Sequence, residues 1–163
     1  MREFELQRTA TIARPLQEVF AFFSDPHNLE AITPPWLHFG IRSVSDGKIQ
    51  EGTQIQYGLR IRGVPIRWTS LISNWDPPHR FVDEQLRGPY RRWVHTHTFE
   101  ACGNETFMTD HVRYAPLGGW LADKLLVRAD LERIFDFRQQ RLEELLAPSA
   151  ILEDAQQADA PAL

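Results

Sequence analysis

The residues best suited to chemistry lie in two neighbouring segments, Trp93-Val94-His95-Thr96-His97-Thr98-Phe99 and Thr109-Asp110-His111-Val112-Arg113-Tyr114. His95 and His97 are two apart, so on an extended strand both imidazoles fall on one face. A two-residue turn at Gly103-Asn104 then pairs Phe99 with Met108, His97 with Asp110, His95 with Val112 and Trp93 with Tyr114. A His–Asp pair of this kind is a general base in which the carboxylate fixes the imidazole tautomer. Two His and a carboxylate are also a metal-ligand set with open positions, and Asp110 would be the third ligand because His111 points to the other face. The simpler reading, adopted for metals, is that none is bound and that Asp110 accepts a hydrogen bond from His97, which offsets the burial of both. No nucleophile accompanies these groups. Cys102, the single cysteine, sits by the Gly103 turn, and no Ser lies in an elbow motif.

Further along, Lys124 and Arg128 are one helical turn apart and could receive an anionic head group, although Glu132 offers Arg128 a local partner and snorkelling accounts for both cations. Trp36, after Pro34-Pro35, belongs either to a lid or to the core.

These groups need a sheet to hold them. Residues 3 to 12 alternate with Phe4, Leu6, Ala10 and Ile12 on one face, which marks a half-buried strand. Pro15 precedes Leu16, Val19, Phe20 and Phe23 at helical spacing, Asp25-Pro26 stops that helix, and a second short helix fits before Thr33-Pro34-Pro35. From Leu37 to Tyr114 the pattern has period two. An Arg62-Gly63 turn pairs Ile61 with Val64, Leu59 with Ile66, Tyr57 with Trp68 and Ile55 with Ser70, again collecting rings on one face. In Arg80 to Leu86 the facing is open: either Phe81, Asp83 and Gln85 or Val82, Glu84 and Leu86 look inward, depending on the length of the Gly88-Pro89 turn. Trp120 to Ala147 contains no Gly or Pro and reads as one long helix, with Leu121, Leu125, Leu131, Phe135, Leu142 and Leu146 as its apolar stripe. Residues 1–147 form a single domain by this reading, and 148–163, rich in Ala, Asp and Gln, form a mobile tail.

Composition narrows the function. The 163 residues include ten Phe, five Trp and three Tyr, an aromatic load that must either fill a dense core or line a cavity. The net charge of −4 argues against a nucleic-acid surface. No apolar run is long enough for a membrane span or a signal peptide, so a cytoplasmic protein is expected. One cysteine excludes an intrachain disulfide and Cys-rich zinc sites.

The segments Phe81-Val82-Asp83-Glu84-Gln85, Gly88-Pro89-Tyr90, Trp93 to Phe99 and Thr109 to Gly118, with the closing Ile134-Phe135-Asp136-Phe137-Arg138, resemble a bacterial member of the START/Bet v 1-like superfamily. Within it the match is to the SRPBCC or polyketide-cyclase/dehydrase-like group, over roughly residues 1 to 146, closest to domains described as cell-division-inhibitor-like. The resemblance implies an α+β helix-grip fold, with a curved antiparallel sheet of about six or seven strands around a long C-terminal helix and two short helices after the first strand. It also implies a pocket for a lipophilic small molecule. Some relatives are cyclases, dehydratases or hydrolases and many only bind a ligand, so no catalytic residue transfers and a shared fold does not fix function.

The expectation is a protein that binds a lipophilic or aromatic small molecule through Tyr57, Trp68, Gln85, Trp93, His95, His97, Asp110, Tyr114 and Arg128, without a cofactor. The alternative is a cyclase- or dehydratase-type enzyme using His95 or His97 with Asp110. A homodimer stays open, as does the identity of the ligand.

Overall fold

The computed structural model describes residues 2–147, and the tail expected at 148–163 lies outside the described residues. The chain runs β1 (Phe4–Ile12), α1 (Leu16–Ser24), α2 (Asn28–Ala31), a 3-10 turn (Pro35–Leu37) and then six strands. These are β2 (Gly40–Val44), β3 (Gln54–Ile61), β4 (Val64–Asp76), β5 (Arg80–Arg87), β6 (Tyr90–Cys102) and β7 (Glu105–Pro116). All seven strands join one antiparallel sheet in the order β1-β7-β6-β5-β4-β3-β2. A helical stretch closes the chain: α3 (Gly119–Ala122), a π-helical turn (Asp123–Val127) and α4 (Arg128–Leu145). This is a helix-grip α+β fold.

Turn chemistry sets the registers. Arg62 and Gly63 both take positive φ, 51° and 82°, as the tight turn between twisted strands requires, and the four β3–β4 pairs expected from it all form. Gly103, at φ 63°, does the same for β6 and β7, where His97 stands opposite Asp110 and Trp93 opposite Tyr114. In β5, Phe81 faces inward with Asp83, whereas Leu86 is exposed. The open choice of facing is thereby settled in favour of Phe81 and Asp83. Gly88 stands where a Cβ would come within 2.2 Å of Gln85 Oε1, so the turn and the Gln85 side chain depend on each other.

Helix α1 starts behind Pro15, whose carbonyl accepts from the amides of Glu18 and Val19, and it buries Val19, Phe20 and Phe23. Those residues pack with Ile12, Phe81, Phe99, Met108 and Leu142 into one apolar cluster. A second cluster joins Leu6, Trp68, Trp93, Val112 and Tyr114 to Leu131 and Phe135 of α4. Leu131, Phe135 and Leu142 each contribute about 1.5–3 kcal/mol by burial, which holds α4 on the sheet. The N-terminal part of the expected stripe behaves differently. Leu121 and Leu125 are 56% and 63% exposed, and the inward position of that turn belongs to buried Asp123. The π turn holds one residue more than an α turn, so it shifts the helical phase and carries Lys124 off the packed face.

Candidate functional site

Along β6 the inward residues run Trp93, His95, His97 and Phe99. Phe99 belongs to the first apolar cluster and Trp93 to the second, so the two imidazoles occupy the seam between them. Asp83 lies opposite His95 on β5, and Asp110 lies opposite His97 on β7. The hydrogen bonds run along the diagonals instead: His95 Nε2 to Asp110 Oδ1 at 3.0 Å and His97 Nε2 to Asp83 Oδ2 at 3.2 Å. The expected pairing of His97 with Asp110 is present beside them as a close contact. His97 Nδ1 lies 2.7 Å from Asp110 Oδ1 but off the angle a ring N–H requires. Arg138, from α4, brings Nε to 3.5 Å from Asp110 Oδ2.

Burial disfavours charge on Asp110, but Arg138 and the two imidazoles outweigh it and hold its carboxyl well below the usual carboxylate range. Asp83 is likewise lowered against burial, by its hydrogen bond with His97 and by the charges of His95 and His97. Burial and the neighbouring His97 lower His95, whereas for His97 the two aspartates overcome burial and raise it. Two carboxylates against one guanidinium leave one negative charge, which a single proton on His97 neutralises.

Beside this cluster a cavity of about 540 Å³ opens between sheet and helix. Tyr57, Trp68, Trp93, His95 and His97 line it as expected, together with Ser70, Asp83, Tyr90, Phe135 and Arg138. Its aromatic wall is continuous: Tyr57 stacks on Trp68 at 5.8 Å, and Trp68 meets Trp93 edge-on at 5.3 Å. Ser70 completes the wall's polar ends. Its Oγ accepts from Trp68 Nε1 at 3.1 Å and lies 3.0 Å from the Tyr57 hydroxyl. At the mouth, Trp36 is exposed, meets Phe137 edge-on and carries the Arg133 guanidinium over its ring at 4.3 Å. Arg62 closes another side through two hydrogen bonds to Asp130, at 2.8 and 3.0 Å.

Four of the expected ligand-binding residues do not line the cavity. Asp110 stands behind the imidazoles. Tyr114 is buried and donates its hydroxyl to Asp123 Oδ1 at 2.7 Å. Gln85 spans the Gly88-Pro89 turn, donating to the Tyr90 carbonyl at 2.7 Å and accepting from the Tyr90 amide at 3.3 Å. Arg128 is exposed and pairs with Glu132 on its own helix at 3.2 Å. Asp83 stayed undecided in sequence because its facing depended on turn parity. Ser70 and Arg138 were missed as site residues, though the register already placed Ser70 two residues from Trp68 on the same face, and Arg138 lies three residues beyond Phe135 on the helix.

The curved sheet, the closing helix and the lined cavity define a START/Bet v 1-like protein. The chain belongs to the family described as polyketide cyclase/dehydrase and lipid transport, whose model matches residues 3–147. No curated protein matches the sequence. Among solved structures it is similar to a protein from Arthrobacter aurescens, with TM-score 0.71 and 15% identity over 90% of this chain and 87% of that one. It is also similar to major latex-like protein 151 of Panax ginseng, with TM-score 0.67 and 14% identity over 90% and 99% of the two chains. A norcoclaurine synthase point mutant of Thalictrum flavum, solved with a transition-state analogue, has TM-score 0.65 and 13% identity over 88% and 96%. Among the described residues no helix is long and apolar enough to cross a membrane.

Proposed function

We propose that this protein binds a lipophilic or aromatic small molecule in the cavity between the sheet and α4. The supporting observation is the cavity itself: about 540 Å³, walled by Tyr57, Trp68, Trp93 and Phe135, with a compact polar group at Asp83, His95 and His97. Small-molecule sites of about 300–1,000 Å³ share this design, in which apolar walls supply affinity and a few polar groups fix orientation. Apolar area meets the body of the ligand, and Asp83 and His97 address its polar end. Titration with a fluorescent apolar probe, read with native mass spectrometry of protein from its own host, tests the reading. Saturable uptake of one equivalent, reduced by Trp93→Arg, is expected. Absence of saturable uptake by folded protein would overturn it.

The crossed imidazole–carboxylate bonds favour a second reading, acid–base chemistry of the cyclase or dehydratase type on a ligand held in the same cavity. His97, raised by its aspartates, would carry the proton. Turnover of aromatic and polyketide-like substrates that survives in His97→Gln would remove it.

A further inference from the structure

We propose that Asp83, His95 and His97 form a mononuclear site for a divalent transition metal, bound by Asp83 Oδ2, His95 Nδ1 and His97 Nε2 with open positions facing the cavity. One donor atom from each of these residues lies within 4.8 Å of the others. Asp83 Oδ2 is 3.2 Å from His97 Nε2 and 3.6 Å from His95 Nδ1. Ligand atoms bonded at about 2.0–2.2 Å to one ion stand about 3.0–3.5 Å apart, so both Asp83–imidazole distances are close to that range, and the imidazole nitrogens, within 4.8 Å of each other, draw together to close around a cation.

The geometry of the rings points the same way. His95 Nε2 is the nitrogen 3.0 Å from Asp110 Oδ1, so a hydrogen on Nε2 pairs with that carboxylate and leaves the Nδ1 lone pair on the Asp83 side. That lone pair faces a second carboxylate oxygen, Asp83 Oδ2, across 3.6 Å. Two acceptors turned toward each other in a buried site are a poor arrangement unless a cation sits between them. His97 differs: its Nε2 already shares a hydrogen with Asp83 Oδ2 at 3.2 Å, which a metal would replace, and its Nδ1 lies 2.7 Å from Asp110 Oδ1. Metal on Nε2 would leave the His97 hydrogen on Nδ1, where a small ring rotation directs it at Asp110.

Asp110 Oδ1 is then the common outer acceptor for both imidazoles, the arrangement that orients His ligands in metal sites. Arg138 lies against the other Asp110 oxygen and compensates that charge, which leaves Asp83 to compensate the ion. Inner and outer groups are also separated in space: Asp83, His95 and His97 line the cavity and Asp110 does not. Two imidazoles and one carboxylate with vacant positions suit divalent iron, cobalt or zinc. Asp110, the third ligand that sequence spacing suggests, is replaced in that role by Asp83.

The test uses the metal alone. Full-length protein freed of metal by chelation is titrated with Co²⁺ and followed by visible absorption, with Zn²⁺ as competitor. One equivalent of bound Co²⁺ with ligand-field bands, displaced by Zn²⁺, is expected. Asp83→Asn should weaken binding at least about 10–100-fold, while His111→Gln, which alters a histidine outside this cluster, should leave it unchanged. Nitrogen NMR of the rings provides a readout on the wild type: Zn²⁺ should shift His95 Nδ1 and His97 Nε2. Folded wild-type protein that binds no stoichiometric Co²⁺, or Zn²⁺ that leaves those two nitrogens unshifted, would overturn the proposal.

Discussion

His95 hydrogen-bonds to Asp110, which stands opposite His97 in the sheet, while His97 hydrogen-bonds to Asp83, which stands opposite His95. The crossing ties β5, β6 and β7 together through side chains as well as backbone. Removing one member of a buried charged group leaves the others uncompensated. Asp110→Asn is therefore expected to destabilise the fold by about 3–5 kcal/mol in urea unfolding. Adding Arg138→Met removes the stranded cation, and the double variant should recover part of that loss, a coupling of about 0.5–3 kcal/mol.

Acidity should act through the same carboxyls. Asp83 and Asp110 both have folded-state pKa values below the usual carboxylate range, so their partnerships stabilise the fold above the unfolded value of about 3.9. This contribution is lost as the pH falls through the lowered folded values. Near about pH 6.5 the imidazoles oppose each other: raised His97 favours folding on the acid side, and lowered His95 on the basic side. Unfolding free energy of metal-free protein should thus fall below about pH 5, less steeply in Asp110→Asn.

The pair between Arg62 and Asp130 joins the β3–β4 turn to α4 at the cavity mouth. Both side chains are partly exposed, so the pair contributes at most about 1 kcal/mol to stability. Arg62→Ala should leave thermal unfolding nearly unchanged yet speed the entry and exit of an apolar probe in stopped-flow fluorescence.

Gly88 and Gln85 should behave as one unit. A methyl group at residue 88 would displace the Gln85 amide from both Tyr90 backbone groups. Gly88→Ala and Gln85→Ala are each expected to cost about 1–3 kcal/mol, and the double variant no more than the larger single, in chemical denaturation.

Much of this architecture was legible in the chain because short turns specify register. Arg62-Gly63 and Gly103-Asn104 gave the four cross-strand pairs read from each, and with them the inward placement of Tyr57, Trp68, Trp93, His95 and His97, whereas the register shift at Tyr90 was not foreseen. Register names which residues stand opposite but not the rotamers that reach past the opposite residue, so the diagonal bonds were hidden. The facing of Asp83 depended on the parity of one turn. Arg128 was misplaced because a charged side chain with a partner one turn along its own helix, Glu132, stays at the surface with it. Gln85 and Tyr114 do face inward, but their polar atoms are taken by Tyr90 and Asp123.

The π turn at Asp123–Val127 stands beside the point where the helix is fastened to the sheet. Asp123 is tethered to Tyr114 at its N-terminal edge, whereas α4 beyond it forms one wall of the cavity. The wide turn sits between a fixed point and a long arm. The far end of that arm is held as well, with Leu142 in the first apolar cluster and Arg14 donating to the Ala147 carbonyl at 2.7 Å, so the helical wall of the cavity is fastened at both ends.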